Sequence, residues 1–428
     1  MSEVIENKSK WKIVTSLFFS KIVDILLSAK TTLPTFLTNL GAPSWMLPLL
    51  VPIRESGSLL PQAFLGKYLQ NKTNRQGQWR FSMVLQTLSI VIMFGTPYCA
   101  IYFGGGDNAL LLGLIVLTSL ALLSIARALT SLTMKDIQGK HIDKGRRGDL
   151  VGISSTCAGL LSLLFASVSL VSGKLDNDLI FIIACLSVVL MALSIFSMAG
   201  LSTNVESKSR EAASSDTAHN NSGSPPLYYL LKIKSFLAIF RGSLGRFVLV
   251  RACFVHTALV APFFIVWAIE QGEQNKWLSL SSFIIAQASA AILSSYAWGK
   301  ISDKNARLTM QLGALTVFLV IGLVLYLKLS VSAENQLSGV MIVVLYFFLS
   351  LGHEGARAGR KVYALDIKSG ADRTDFISKA NSAIGVVLLT LGLCYSALSF
   401  LGNIWVMALM ASSLVLGLLL SLGMSAEK

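Results

Sequence analysis

Apolar runs of about 20 residues succeed one another along almost the whole chain, each long enough for an α-helix to cross a bilayer. They fall near 13–38, 46–66, 81–103, 109–133, 151–172, 179–200, 247–268, 278–299, 309–328, 339–356, 378–400 and 404–423. The pattern predicts an all-α integral membrane protein with about twelve transmembrane helices. Barrel strands would be short and alternating instead. Between the sixth and seventh runs lies the longest polar interval, about 201–226, rich in Ser, Asn and Ala and closed by Pro225-Pro226. It reads as a flexible linker. The next stretch sets Lys232, Lys234 and Arg241 among aromatic and aliphatic residues. It reads either as an amphipathic helix on the membrane surface or as an early start to the seventh span. The expected organisation is a six-helix bundle over 1–200, a cytoplasmic linker over 201–245 and a second six-helix bundle over 246–428.

Composition strengthens the membrane reading. Hydrophobic residues make up 54% of the chain and charged residues 14%, well below the roughly 25% of a soluble domain. The net charge of +14 would suit a nucleic-acid partner, but its distribution points elsewhere. With the N-terminus in the cytoplasm, most of the 36 Lys and Arg fall on cytoplasmic segments, leaving essentially Lys174, Lys276 and Lys328 opposite. That is the positive-inside bias of a multi-pass protein of the cell inner (plasma) membrane with both termini cytoplasmic. No nucleic-acid partner is expected. Lys21 and Asp24 interrupt the first run, so it is not read as a cleavable signal. The five cysteines fall singly in expected helices, which predicts buried packing rather than disulfides or zinc ligation. Phosphate-loop and dinucleotide fingerprints are absent. His353-Glu354 lacks the second histidine of a metalloprotease helix and is expected to join a cytoplasmic gate with Arg357. No metal, cofactor or enzymatic activity is expected. A membrane-embedded enzyme or sensor remains as an alternative from another class, disfavoured by four scattered histidines and short outer loops.

Two stretches about 230 residues apart repeat one polar skeleton. The first runs Arg127, Asp136-Ile137, Arg147-Gly148-Asp149, Gly159; the second runs Arg357, Asp366-Ile367, Arg373-Thr374-Asp375, Gly385. The steps from Arg to Asp and from second Arg to Gly are the same in both copies, and only the loop between differs, by four residues. Each copy follows the fourth apolar run of its half. Duplication of half a membrane chain points to a transporter built from parallel repeats.

The eighth run ends in Gly299-Lys300-Ile301-Ser302-Asp303-Lys304-Asn305-Ala306-Arg307. Gly-x-x-x-Asp-(Arg/Lys)-x-x-Arg between the second and third helices of a six-helix half resembles the loop signature of the major facilitator superfamily (MFS). The first half has Gly66-Lys67-Tyr68-Leu69-Gln70 with Arg75 further on, so Gln70 stands where the family has its acid. The resemblance covers essentially the whole chain and implies two pseudo-symmetric six-helix bundles working by alternating access. It also implies a cytoplasmic latch made by Gly299, Asp303, Lys304 and Arg307. Arg127, Asp136, Arg147, Arg357, Asp366 and Arg373 are expected in the same latch, with solvated loop charge as the other reading. The first-half latch is expected to be weaker or differently paired.

A second constellation lies deeper. Ser20, Asp24, Ser28, Thr31 and Thr35 recur at steps of three or four on the first run, bordered by Lys21. They form one polar stripe on an apolar helix. Arg54-Glu55 sit at similar depth on the second run, and the seventh adds Arg251 and His256. Charges cost several kcal/mol in hydrocarbon, so these groups should face a cavity and pair, Lys21 or Arg54 with Asp24 or Glu55. Substrate binding with proton coupling, and fixed structural pairing, both remain open. Gln287 and Asn381 are further candidates for lining the cavity, whereas Lys30 lies off the stripe and is expected to snorkel outward. The reading is a proton-coupled secondary transporter of a small solute, expected as a monomer in the lipid bilayer. Mixed cations and acids suit an anionic or zwitterionic substrate. A proton-antiport exporter of drugs or metabolites such as siderophores is the alternative.

Overall fold

The computed structural model describes residues 2–70, 74–103, 108–142, 147–172, 176–199, 201, 242–271, 277–330, 338–366 and 370–424. The expected linker and amphipathic helix lie outside these residues. Each apolar run coincides with helix. The first is split into α1 (Ser2–Leu26) and α2 (Thr32–Asn39), and the second into a 3-10 turn at Ser44–Leu49, α3 (Leu50–Leu59) and α4 (Gln62–Gln70). Four long helices follow: α5 (Arg75–Tyr102), α6 (Ala109–His141), α7 (Arg147–Val171) and α8 (Asp176–Ser197). The seventh run is again split, into α9 (Gly242–Phe254) and α10 (His256–Glu270). Then come α11 (Leu280–Lys304), α12 (Ala306–Ser330), α13 (Gly339–Asp366), α14 (Gly370–Leu398) and α15 (Asn403–Leu422).

Among the described residues nine helices are long and apolar enough to span, or ten if bent α11 counts as one. Twelve such spans were expected. The shortfall is the first two runs, whose mid-run charges and breaks lower their apolar length. Pro61 accounts for the α3/α4 break, since it has no N–H to continue the ladder.

Helix ends show the repeat in another form. Asn74 caps α5 by accepting from Gly77 N at 2.7 Å, and Asn305 caps α12 by accepting from Leu308 N at 2.8 Å. At the end of α8, Lys12 donates to Ala199 O and Arg80 to Met198 O. At the end of α15, Arg246 donates to Gly423 O and Arg307 to Met424 O. Each half thus quiets the negative end of its last helix with cations from its first and third.

Small residues set the closest packing. A Cβ on Gly313 of α12 would stand 2.3 Å from Ala356 N, and one on Gly359 of α13 would stand 2.5 Å from Ala306 O. One on Gly355 would meet the Trp298 ring of α11 at 2.7 Å. Gly355-x-x-x-Gly359 therefore lies against α11 and α12, the small-residue route to close helix contact in lipid. The two glycines of the repeat lie at the seam between halves. Gly159 meets Ile292 of α11, and Gly385 meets Leu60 beside α4. By contrast, nothing lies within 4 Å of a Cβ on Gly66 or Gly299, so the loop glycines make no close approach.

The seam is tight on one face. Asp176 Oδ1 accepts from Leu280 N at 3.0 Å, and Ser396 donates to Trp45 O at 2.8 Å. All of α10 from His256 to Ala268 is buried. This closed face carries the starts of α8 and α11. Their other ends, near Lys12 and Met424, mark the face of the two termini. Four cysteines (Cys99, Cys157, Cys185 and Cys394) are exposed on their helices, not in the packing that was expected for them.

Adding a methyl at Gly313 should therefore destabilise the protein by about 1–3 kcal/mol through overpacking. Gly299→Ala should leave it unchanged. Thermal unfolding in detergent compares the two, and equal melting temperatures would refute the packing argument.

Candidate functional site

The site begins with the break after Leu26. Ending a helix in mid-membrane frees carbonyls that water cannot reach. Thr32 donates its hydroxyl to Leu26 O, while Arg54 of α3 donates to Leu27 O and, at 3.2 Å, to Asp24 O. Arg54 is thus a cap on α1, a position where a cation also suits the helix dipole. Its guanidinium lies 3.7 Å from the Asp24 carboxylate. The stronger partner of Asp24 is Arg127 of α6, which grips both carboxylate oxygens with its two terminal nitrogens. Two-point pairing of this kind is the strongest available to a carboxylate. A small cavity beside the triad is lined by Asp24, Arg54, Gln86, Leu33, Met93 and Met191.

The polar stripe of the first run does not share one face. Ser20 turns to Ser194 of α8, Asp24 to the two arginines, and Ser28 crosses to Gln287 of α11 at 3.3 Å. Thr35 bonds its own backbone, and Thr31 Oγ1 is buried without a partner. The break rotates everything after Leu26, so helical spacing cannot carry across it.

The break also redirects Lys30. Instead of snorkelling outward, it sits in the field of Glu55 of α3 and Glu354 of α13. Lys21 feels Asp24, Arg127, Arg357 and Glu354. Glu55 is exposed, makes no ion pair among the described residues, and feels Lys30, Arg360, Arg357 and Arg54. On α13, Glu354 pairs with Arg357 one turn on at 3.2 Å. Between the halves, Lys21, Lys30, Arg54, Arg127, Arg251, Arg357, Arg360 and Lys361 face three carboxylates, Asp24, Glu55 and Glu354. The site is strongly cationic.

In the second half Arg251 is only 9% exposed and donates to Asn381 Oδ1 of α14 at 2.8 Å. His256 stands just past the α9/α10 break, its Nε2 2.6 Å from Tyr395 OH and its Nδ1 2.7 Å from Cys253 O. Thr257 Oγ1 meets His353 Nδ1 at 3.0 Å. These two contacts tie the start of α10 to α14 and α13.

The residues expected in the cytoplasmic latch separate. Arg127 and Arg357 lie in the central cluster, because each sits well before the end of its long helix. His353 and Glu354 are central with them. Asp136 remains at the terminal face, where it pairs with Arg75 at 3.2 Å, while Arg75 also donates to Leu69 O at 2.7 Å. Arg307 caps α15, and Asp303 and Lys304 are exposed, Asp303 without an ion pair among the described residues. The side chains of Arg147, Asp366 and Arg373 lie outside the described residues. Arg360 and Lys361 were not singled out from the sequence. Their signal was present: Glu354, Arg357 and Lys361 recur at helical steps opposite the glycine face of α13.

No sequence-family profile matches the chain, and no curated protein matches it by sequence. Solved structures match throughout its length. A POT family transporter in complex with 5-aminolevulinic acid gives a TM-score of 0.68 at 13% identity, over 96% of this chain and 95% of its own. The nucleoside transporter NupG gives 0.68 at 12% identity, over 97% and 99%. A D-xylose-proton symporter gives 0.67 at 12% identity, over 99% and 98%. The chain has the fold of the major facilitator superfamily. At these identities the likeness is one of fold, and function has to be argued from the site.

Removing Arg127 should leave Asp24 half-buried with a weaker partner. Arg127→Gln is expected to cost about 2 kcal/mol, and the double variant Asp24→Asn/Arg127→Gln less than that. Melting temperatures of the two proteins test the ordering. A double variant as unstable as the single one would show that the pair contributes nothing.

Proposed function

We propose that this chain is a secondary active transporter. It moves a small anionic or zwitterionic solute across the inner (plasma) membrane by alternating access, coupled to protons through Asp24. The observation that carries the reading is Asp24 itself: an ionisable acid at a mid-span helix break, gripped by arginines from two other helices. Protonating it removes the charge that holds α6 to α1, so one proton changes the helix contacts of the first half. The fold supports the reading, since proteins of like structure are a D-xylose-proton symporter and a nucleoside transporter.

On this reading residues 1–200 and 246–428 are the two moving bodies, joined by 201–245, with both termini in the cytoplasm as the Lys and Arg bias indicates. The closed seam at Asp176 and Ser396 is then the outer gate, and accessible Glu55, Arg357 and Lys361 face the cytoplasm. The arrangement is inward-open. Asp303 and Lys304, separated here, re-form a latch in the outward-open state.

Two measurements test this. Asp24→Asn should abolish uphill transport in proteoliposomes while exchange down a gradient and substrate binding persist; full accumulation by this variant would remove Asp24 from coupling. Asp303→Asn should raise labelling of a cysteine placed in the central cavity, by favouring the inward-open state. Unaltered labelling would leave that loop a topology signal only.

A further inference from the structure

The closed face of the seam is fastened by a carboxylate. α8 begins at Asp176 and α11 at Leu280, so two helix N-termini from opposite halves meet there. Each such end carries roughly half a positive charge, and like ends repel. Asp176 lies between them. It opens the first turn of its own helix, and its Oδ1 accepts the Leu280 N–H at 3.0 Å. That N–H is one of the donors the first turn of α11 leaves over, and Ser279 takes a different one, from Ser282. Neighbouring Asn177 is engaged within its own half: its Oδ1 accepts from Asn39 at 2.7 Å and its O from Tyr98 at 2.8 Å. These bonds fix the start of α8 to α2 and α5 and leave Asp176 to reach across. Every ion pair among the described residues lies within one half or the other. Asp176 brings a full charge to the seam, whereas the Ser396–Trp45 bond on the same face is neutral.

A carboxylate shared by two positive helix ends holds them only while it is charged. Its stabilisation of the closed face is full at neutral pH and is lost as the outer pH falls through its titration. Asp176 is partly exposed, so a proton reaches it while the seam is shut. The other titratable groups on this face are Asp178, exposed two residues on, Tyr98 of α5, and the Glu270–Lys328 pair at the ends of α10 and α12. Lys174 and Lys276 lie outside the described residues. At the point of contact α2 and α11 present Asn39 and Leu280, which do not titrate.

We propose that Asp176 is a proton-released clasp on the outer gate. Charged, it holds the starts of α8 and α11 together; protonated from the outer side, it lets the seam open toward that side. It is a second proton site, separate from Asp24: Asp24 joins helices within the first half, whereas Asp176 joins the two halves. An acidic exterior then favours the outward-open state before any proton reaches the centre. This rests on the transporter reading, which makes the closed face the outer one.

The test is labelling of the full-length protein in right-side-out vesicles by a membrane-impermeant maleimide added outside. The reporter is Ser28→Cys, read as labelling above that of the protein without the added cysteine. Ser28 is 4% exposed and bonded to Gln287 of α11 across the seam at 3.3 Å, so it is reached from outside only when the outer face opens. Labelling should be slow at an external pH of about 7 and rise several-fold towards about 4, the carboxylate range. Asparagine can still accept the Leu280 N–H, so Asp176→Asn removes the charge and spares the bond. It should label about fivefold faster at neutral pH, with no further response to acid. Asp176→Glu should label slowly at neutral pH, and Asp178→Asn should behave as the parent. Parent-like labelling of Asp176→Asn, an acid response that survives in it, or fast labelling of Asp176→Glu at neutral pH overturns the clasp. A response to acid on the cytoplasmic side alone, in inverted vesicles, overturns its outer assignment. Asp24→Asn should keep the acid response of the gate. Full accumulation by Asp24→Asn with that response intact counts against Asp24 coupling alone. An acid-insensitive gate, with coupling lost in Asp24→Asn, counts against the clasp alone.

Discussion

A helix that stops inside a membrane must satisfy its freed carbonyls from within the protein, and much of this structure depends on how α1 does so. Carbonyls left unbonded in hydrocarbon would cost several kcal/mol each. Arg54 and Thr32 take them. Arg54 then brings a positive charge to mid-membrane, which needs an acid, and Asp24 supplies it from the turn just before the break. Asp24 in turn engages Arg127, so α1, α3 and α6 are joined through one carboxylate. The break, the cap and the ion pairs are one dependent set.

The duplicated arginine is used differently in the two halves. Arg127 finds its acid on another helix, whereas Arg357 finds Glu354 one turn away on its own. The reason lies on the first helix of each half. Ahead of the α1 break stands Asp24; ahead of the α9/α10 break stands Arg251. An arginine there cannot pair with Arg357, which instead takes Glu354 of its own helix, whereas in the first half Asp24 is shared by Arg54 and Arg127. Duplication supplied the scaffold, and the two halves diverge at these two positions.

Rigid packing frames this charged interior. Gly313 and Gly359 bring α12 and α13 into backbone contact and Gly355 seats the Trp298 ring of α11, which leaves the opposite face of α13 for Glu354, Arg357 and Lys361. Gly159 and Gly385 sit on the seam instead, each meeting an aliphatic side chain from the other half. The halves thus meet through side chains at the seam, whereas helices within the second half meet backbone to backbone.

Much of this was legible in the residue pattern alone. Long apolar runs are decided by the bilayer, which demands about 20 hydrogen-bonded residues per crossing. Repetition of Arg127 and Arg357, with Gly159 and Gly385 after them, revealed the two halves. The depth of Asp24, Arg54 and Glu55 revealed a charged interior. Partners were another matter. Arg127 was assigned to a loop latch and Lys30 to the lipid side, because spacing along one helix says nothing about which helix lies opposite. The mid-run break after Leu26 was also hidden, since the capping groups that permit it come partly from α3. The residue pattern determined that this chain crosses a membrane as a duplicated bundle with charge at its centre. Only the tertiary structure decided which charge meets which, because an ion pair is selected by distances across helices that local sequence does not encode.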